Sequence, residues 1–265
     1  MESSKSKSRI ITLTTDFGLR DAFVGVMKGV ILRINPAARI VDITHGIAQG
    51  DIDAAAFALD QAHAFFPEET IHVVVVDPTV GTDRRILLVR AGGWFFLAPD
   101  NTVLKYIFAR YGDAQVLAVT NSYYFLPHTS RTFHGRDIMA PVAAHLSLGT
   151  AFLDFGTRID DPLRGEVLLP LRKGKTIHGK IVYIDHFGNC ISNISKKDLV
   201  GETVKEINVK EFQFDRLSRS YAENPVGEPL AIVSSHDHLE IAVRDGNAAA
   251  ILKLEKGDPI EVVLE

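Results

Sequence analysis

The first half of the chain alternates short β-branched runs with segments whose apolar residues recur every three or four positions. The run at 10–14 is typical of a strand, and the apolar positions from Ala22 to Ile34 fall on one helical face that Pro36 ends. The same patterns predict strands at 39–43, 71–76, 86–89, 94–97 and 116–119, and helices at 52–66, 101–110 and 137–148. Strands that alternate with helices indicate an α/β domain with a mostly parallel central sheet.

The pattern changes near residue 160, where the chain becomes polar and rich in turn residues. Beyond that point helical periodicity is nearly absent, and apolar runs predict strands at 177–184, 230–233, 239–243, 248–252 and 260–264. Several short strands separated by turns favour a small antiparallel barrel or sandwich. We therefore expect a polar, disordered tail at 1–9, an N-terminal α/β domain at 10–165 and a C-terminal all-β barrel domain at 175–265.

Composition narrows the class of protein. The chain has 265 residues, of which 46% are hydrophobic and 23% charged, values that exclude a disordered or fibrous chain. Its 29 basic and 33 acidic residues leave no basic excess for binding nucleic acid. The single cysteine, Cys190, excludes an intramolecular disulfide. No apolar run approaches the roughly 20 residues of a membrane-spanning helix, and the first nine residues lack a secretory signal, so we expect a cytoplasmic protein.

Candidate chemistry begins where the predicted strands end. Asp16 follows the first strand and Asp77 follows the apolar run at 71–76, and ligands gather at the carboxyl ends of parallel strands. Each aspartate could instead cap the next helix or turn. The polar loop after Asp77 contains Arg84 and Arg85, either of which could fold back onto that carboxylate. The alternative is a hairpin loop with solvated arginines.

Two further segments offer functional groups. His134 precedes a predicted helix that Asp137 could cap, and Asp16, Asp77 and His134 could together bind a divalent metal. The dense ligand spacings of metal sites, the Gly-x-Gly-x-x-Gly fingerprint and the P-loop motif are all missing. In the second half, the residues around Gly188 could offer an amide edge and an aromatic face to a planar base, or simply form a β-turn.

Seven segments, taken in order, resemble one family. They are the residues 14–18, 41–45, 76–85, 98–101, 132–137, 185–189 and 239–242. Each segment alone is weak, but the ordered set resembles the S-adenosylmethionine hydroxide adenosyltransferases, also called SAM hydrolases, which are related to fluorinating and chlorinating enzymes. The resemblance covers nearly all of residues 9–265. It implies an α/β domain followed by a β-barrel domain, and a homotrimer with each site between two subunits.

The resemblance also implies roles for individual residues. It makes Asp77, Arg84 and His134 the catalytic set that activates a water molecule. It places Asp16 on the ribose and Asp185 on the methionine amine. The complete implied substrate-binding set is Asp16, Phe133, Asp185, Phe187, Asn189, Ser234, Ser235, Glu240 and Val243, with Phe187 and Asn189 on the adenine.

The chain departs from its relatives at a few positions. The halogenating enzymes have tyrosine and threonine where Asp77 and Val80 stand. Thr79 stands where a glycine is common in the hydrolases, and His236 where a relative has an arginine for the methionine carboxylate. A carboxylate at position 77 replaces the neutral hydroxyl group of a halide pocket with a group suited to activating water.

The implied reaction is hydrolysis of S-adenosylmethionine to adenosine and methionine, by in-line attack of water on the ribose C5′. Removal of the (R)-sulfonium epimer is a role compatible with it. No metal or other cofactor is expected, because the leaving group departs neutral, and neither nucleic acid nor membrane is an expected partner. The alternatives are a module that binds adenosine or S-adenosylmethionine as a sensor, and a metal-dependent phosphoesterase that uses Asp16, Asp77 and His134.

Overall fold

The computed structural model describes residues 9–265, so the tail predicted at 1–9 lies outside the described residues apart from Arg9. The chain forms two compact units, of which the first ends at Val167 and the second comprises Leu168–Glu265. Within residues 9–265, no helix combines the length and apolar character needed to cross a membrane.

The first unit is a mixed α/β structure. Residues 9–167 contain the strands β1 (Ile10–Thr15), β2 (Arg39–Thr44), β3 (Ile71–Val75), β4 (Ile86–Ala91), β5 (Trp94–Pro99), β6 (Gln115–Val119) and β7 (Gly156–Arg158). The α-helices of this unit are α1 (Phe23–Ile34), α2 (Ile52–His63), α3 (Lys105–Arg110) and α4 (Ala140–Ser147). A π-helical turn at Gly135–Met139 leads directly into α4.

The sheet of the first unit has the strand order β2-β1-β3-β5-β4-β6-β7. Strand β1 pairs in parallel with β2 and β3, and β3 with β5, whereas β4 and β7 run antiparallel to their neighbours. Within residues 9–167, five of the seven strands therefore point the same way, which confirms the predicted mostly parallel sheet. Thr15 lies opposite Val75, so β1 and β3 end side by side. Asp16 and Asp77, which follow these strands, therefore lie at the same end of the sheet.

The second unit is an antiparallel, barrel-like sheet. Residues 168–265 contain β8 (Leu171–Lys173), β9 (Thr176–Ile184), β10 (Cys190–Ser195), β11 (Val204–Val209), β12 (Phe212–Phe214), β13 (Pro229–Val233), β14 (His238–Val243) and β15 (Pro259–Leu264). Their order is β12-β11-β15-β9-β10-β14-β13, with β8 beside β9. Two short helices, α5 (Lys196–Leu199) and α6 (Ala248–Ile251), complete the unit.

One strand prediction in this unit is wrong. The segment predicted as a strand at 248–252 forms the helix α6. The Asn247 side chain caps it by accepting a hydrogen bond of 2.8 Å from the backbone N–H of Ala250. Three successive alanines favour the helix, because alanine has the highest helix propensity of any residue.

A buried histidine stands in the middle of the first sheet. His72 on β3 has no exposed surface, its Nδ1 lies 2.8 Å from Thr12 Oγ1, and its ring stacks on Phe96. Burial, assisted by the nearby His63, lowers the pKa of His72 to about 3 from an ordinary value of 6.5. The folded protein therefore keeps this imidazole neutral in mildly acidic solution, whereas the unfolded chain protonates it.

This difference makes the free energy of unfolding depend on pH. Since the pKa of His72 is lower in the folded state, its contribution to stability is complete above pH 6.5 and is lost progressively from pH 6.5 toward pH 3. We expect a slope of up to about 1.4 kcal/mol per pH unit from this group. Denaturant titrations at several pH values should show a shallower acid dependence for His72→Asn. Equal slopes for wild type and His72→Asn would contradict the assignment.

Candidate active site

Each unit has an open pocket of its own. The pocket of the first unit has a volume of about 590 Å³ and lies at the edge where β1 and β3 end. It combines carboxylates, an imidazole and aromatic rings. Its lining includes Asp16, Phe17, Phe23, Asp77, Val80, Phe133 and His134.

Asp77, Arg84 and His134 form one connected group, of which Asp77 and His134 line this pocket. Arg84 Nε donates to Asp77 Oδ2 at 2.6 Å, its Nη2 also contacts that oxygen, and Nη2 lies 2.9 Å from His134 Nδ1. The side chains of Arg84 and Asp77 are only 8% and 4% exposed. The structure thus brings together the three residues that were predicted as a catalytic set, with the guanidinium as the link between carboxylate and imidazole.

The loop that carries Asp77 and Arg84 depends on a glycine. Gly81 has a φ of +84°, and a Cβ added there would lie 2.2 Å from the carbonyl oxygen of Arg131. Only glycine permits both this left-handed conformation and such a close approach of two backbones. The loop is therefore held against the segment just before His134. The Thr79 hydroxyl lies 3.3 Å from Asp77 Oδ1, which gives this departure from the related sequences a direct contact with the carboxylate.

The neighbouring arginine points elsewhere. Arg85 Nε donates to Asp100 Oδ2 at 2.8 Å, and its Nη1 donates to Asp161 Oδ1 at 2.7 Å. Of the two arginines that could fold back onto Asp77, the structure therefore selects Arg84. Arg85 instead ties the loop to the end of β5 and to the segment around Asp161.

His134 is held in a state suited to polar contacts. Burial and the adjacent Arg84 cation lower its pKa, against an opposing effect of Asp77, so the imidazole is neutral at pH 7. Because the Arg84 guanidinium can only donate, Nδ1 accepts its hydrogen bond and the proton of the neutral ring lies on Nε2. Arg84 thus fixes Nδ1, and the ring also has a hydrogen bond with the backbone of Ser130.

Other groups of this pocket are also fixed by the local fold. Asp16 Oδ2 accepts a 2.9 Å hydrogen bond from the backbone N–H of Gly50. The rings of Phe17, Phe23 and Phe133 pack with centroids 5.3 to 5.7 Å apart and form an apolar wall.

Asp137 does not act as the helix cap that the sequence suggested. It lies fully buried inside the π-helical turn and accepts hydrogen bonds from Arg136 and from the backbone of Ser130. Its carboxylate thus fixes the loop that precedes His134.

The proposed metal set is not assembled. Within residues 9–265, no three His, Cys, Asp or Glu side chains are grouped so that they could hold a metal ion. Asp16, Asp77 and His134 do line one pocket, but Asp77 Oδ2 and His134 Nδ1 are both engaged by Arg84. A cation that needed these atoms would have to displace a guanidinium.

One pocket of the second unit, called the second pocket below, has a volume of about 700 Å³ and contains the predicted base-binding turn. Asp185 Oδ1 accepts the backbone N–H groups of Phe187 at 2.9 Å and Asn189 at 2.8 Å, and Oδ2 accepts from the Asn189 side chain at 3.0 Å. This closed turn leaves the Phe187 ring 72% exposed. Gly188 adopts a φ of +86°, and a Cβ there would collide with the Asn247 side chain at 2.2 Å.

The floor of this pocket is acidic. Glu240 is only 2% exposed and accepts a 2.7 Å hydrogen bond from the Tyr221 hydroxyl. Burial, with a contribution from Asp185, raises the pKa of Glu240, and burial and Glu240 together raise the pKa of Tyr221. Sequence reasoning did not find Tyr221, because a lone tyrosine in a polar loop carries no signal that separates it from any other exposed aromatic residue.

Of the remaining residues predicted to bind substrate, two line the second pocket and one does not. Ser235 and Val243 line the second pocket, together with His236 and Arg244. Ser234 is not among the lining residues, and its hydroxyl accepts a weak 3.4 Å hydrogen bond from the backbone N–H of His236.

Both units match one protein family. Residues 11–156 match the SAM hydroxide adenosyltransferase N-terminal domain, and residues 179–261 match the C-terminal domain of the same family. Together these two matches account for most of the chain.

Individual proteins are similar to this chain over nearly its whole length. An (R)-S-adenosyl-L-methionine hydrolase from Salinispora tropica is 34% identical over 95% of this chain and 97% of the relative. A fluorinase from an Actinoplanes species is 25% identical over 96% of this chain and 97% of its own. The crystal structure of an uncharacterized conserved protein from Thermotoga maritima superposes with a TM-score of 0.89 at 36% identity, covering 96% of this chain and 99% of that one.

Proposed function

Since this chain belongs to the SAM hydroxide adenosyltransferase family, we propose that it hydrolyses S-adenosyl-L-methionine to adenosine and L-methionine. The observation that carries the proposal is the connected group of Asp77, Arg84 and His134 in a pocket at the carboxyl edge of the sheet. Relatives such as the Salinispora tropica protein are named as hydrolases of the (R) epimer, which makes that epimer the first substrate to examine.

In the proposed reaction, a water oxygen attacks the ribose C5′ opposite the sulfur. The new C–O bond forms as the C–S bond breaks, and methionine departs as a neutral thioether that keeps the bonding electron pair. The water must also lose one proton, for which Asp77 is the acceptor. His134 helps to hold the water in line, and Arg84 fixes both groups.

The surroundings of the reacting atoms favour this charge change. A sulfonium cation and a nucleophile with growing negative charge neutralise each other in the transition state. An apolar wall of three phenylalanine rings, Phe17, Phe23 and Phe133, reduces the solvation of the separated charges. A site that excludes water strengthens the interaction of the remaining charges.

In this proposal, the other predicted residues bind the remaining parts of the substrate. Asp16 accepts hydrogen bonds from the ribose hydroxyl groups. The exposed Phe187 ring offers a face for stacking on adenine, and Asn189 contacts its edge. Asp185 and Glu240 make the second pocket acidic, which suits the methionine ammonium group.

The reaction needs no resident cofactor, because the sulfonium already supplies the leaving group. We also propose that it takes place in the cytoplasm. The single cysteine, which is buried, supports this location, because proteins that depend on disulfides are typical of oxidising compartments.

The first test is incubation of the protein with each epimer of S-adenosylmethionine in the presence of EDTA, followed by chromatography. We expect adenosine and methionine in equal amounts, formed at the same rate with and without the chelator. Binding of adenosine without turnover would identify a sensor module. Activity that EDTA abolishes would overturn the metal-independent mechanism.

The second test addresses the three linked residues. Asp77→Asn, Arg84→Ala and His134→Ala should each lower turnover by about 10²–10⁴-fold, the usual contribution of a positioned acid or base. The turnover of a double variant should be only slightly lower than that of the least active single variant, since the residues act as a unit. Calorimetry should show nearly unchanged adenosine binding. The matched control is Arg85→Ala, whose partners lie outside the pocket, and retention of most activity by both Arg84→Ala and His134→Ala would refute the mechanism.

We further propose that the protein is a homotrimer in which the first pocket of one subunit and the second pocket of the next contribute to a shared site. The division of the predicted substrate contacts between two open pockets supports this arrangement. Asp16 belongs to one pocket and Asn189 to the other, so each can be inactivated separately.

This division predicts complementation between subunits. Asp16→Ala and Asn189→Ala should each be impaired alone, and refolding the two together should restore part of the activity, because some sites then combine two intact halves. Each variant refolded alone is the control. A particle with the mass of one chain in light scattering at micromolar concentration, or a mixture no more active than its parts, would contradict shared sites.

A further inference from the structure

The segment Val41-Asp42-Ile43-Thr44-His45 has no part in the function proposed above, although it is one of the seven segments that carry the family resemblance. It spans the end of β2, the strand that pairs in parallel with β1. His45 is buried, with 6% of its surface exposed. This buried histidine lies next to β1, the strand that Asp16 follows, so its contacts bear on how Asp16 is held.

His45 contacts the turn after β1 at two points, one on each side of Asp16. Its Nδ1 lies 2.9 Å from the hydroxyl of Thr15, which has no exposed surface. Its backbone carbonyl oxygen accepts a 2.8 Å hydrogen bond from the N–H of Gly18. The Thr15 hydroxyl oxygen also accepts a 3.3 Å hydrogen bond from the backbone of Phe17. The turn that presents Asp16 is thereby tied to β2 at both ends.

The other side of the imidazole faces a charge pair. His45 Nε2 lies 3.1 Å from Asp42 Oδ1, an electrostatic contact without hydrogen-bond alignment. Asp42 Oδ2 accepts a 2.6 Å hydrogen bond from Lys28 on α1. Partial burial would raise the pKa of Asp42, but the hydrogen bond from Lys28 and the electrostatic contact with His45 outweigh it and leave that pKa below its ordinary value. The carboxylate is therefore ionised at neutral pH.

One arrangement of protons satisfies these contacts together. The anionic Asp42 favours the proton on His45 Nε2, so Nδ1 is an acceptor. The Thr15 hydroxyl then donates to Nδ1 while its oxygen accepts from Phe17. A chain of polar groups thus runs from Lys28 through Asp42, His45 and Thr15 to the turn that carries Asp16.

We propose that His45 is a positioning residue that, with Thr15 and Asp42, fixes the Asp16 carboxylate in the orientation that binds the ribose. The proposal rests on the assignment of Asp16 in the proposed function. His45 touches neither the reacting atoms nor the ligand, since it does not line the pocket.

The test measures adenosine binding by calorimetry for paired variants. Thr15→Val removes the hydroxyl and keeps the shape, whereas Thr15→Ser keeps the hydroxyl. We expect Thr15→Val and His45→Asn to weaken adenosine binding by about three- to tenfold, the range that corresponds to one net hydrogen bond. Thr15→Ser should bind like the wild type. Asp42 lies at the more exposed end of this series of polar contacts. If His45→Asn does not fold, Asp42→Asn should still weaken adenosine binding, by a smaller factor.

Strand β1 provides a matched control. Thr12 and His72 repeat the same contact, Oγ1 to Nδ1 at 2.8 Å, three residues earlier on the strand and outside the pocket. Thr12→Val and His72→Asn should lower thermal stability and leave adenosine affinity unchanged. A loss of affinity in these two variants equal to that in Thr15→Val would reduce the Thr15–His45 pair to a general structural role.

A second background separates positioning from stability. In Asp16→Ala protein, the additional effect of Thr15→Val or His45→Asn on adenosine binding should fall below about twofold, because coupled residues are not additive. Equal effects in both backgrounds would show that His45 does not act through Asp16. If Asp16→Ala itself leaves affinity unchanged, the ribose assignment is wrong and the positioning role fails with it.

Discussion

A largely buried guanidinium holds the first pocket together. Arg84 donates to Asp77 through Nε and to His134 through Nη2, and the side chains of Arg84 and Asp77 are almost completely buried. Removing one partner of such a buried pair costs about 3–5 kcal/mol, since the remaining charge is left uncompensated. The position of each of the three groups therefore depends on the other two. Their geometry is established by folding, so little reorganisation is needed when a substrate arrives.

The two pockets differ in their charge balance. In the first pocket, the Asp77 carboxylate is matched by Arg84, and the imidazole beside them is neutral. In the second, the buried Glu240 accepts hydrogen bonds from the neutral hydroxyl groups of Tyr221 and Ser234, with Asp185 nearby on the same lining. The matched pair of Asp77 and Arg84 suits a reaction in which charge disappears, whereas an acidic pocket suits recognition of a cationic group. One substrate, a sulfonium that also carries an ammonium group, requires both properties.

Patterns of apolar residues predicted the strands and helices that depend on neighbouring residues in the sequence. The β-branched runs of β1 and β3 and the apolar face of α1 identify themselves within a few residues, and the order of strands and helices indicates the sheet. The prediction of a strand at 248–252 is wrong because the Asn247 side chain caps a helix there. The pattern of apolar residues carries no information about such a cap. The contact between Arg84 and His134 spans 50 residues, so no spacing rule could assign it. The residue patterns offered Arg84 or Arg85 and, separately, His134 as candidates; only the ordered resemblance to a family grouped Arg84 with His134, and it offered no account of His45.

The π-helical turn at Gly135–Met139 bears on how this site can change in evolution. Such a turn contains one residue more than a regular helical turn and is frequent at functional sites. Deleting one residue here would restore an ordinary α-helix and rotate everything before it by about 100° relative to the buried face of α4. His134 would then leave Arg84, although the helix and its core contacts would survive. The length of this segment is thus under tighter constraint than its composition, and divergence within it should proceed by substitution rather than by insertion or deletion.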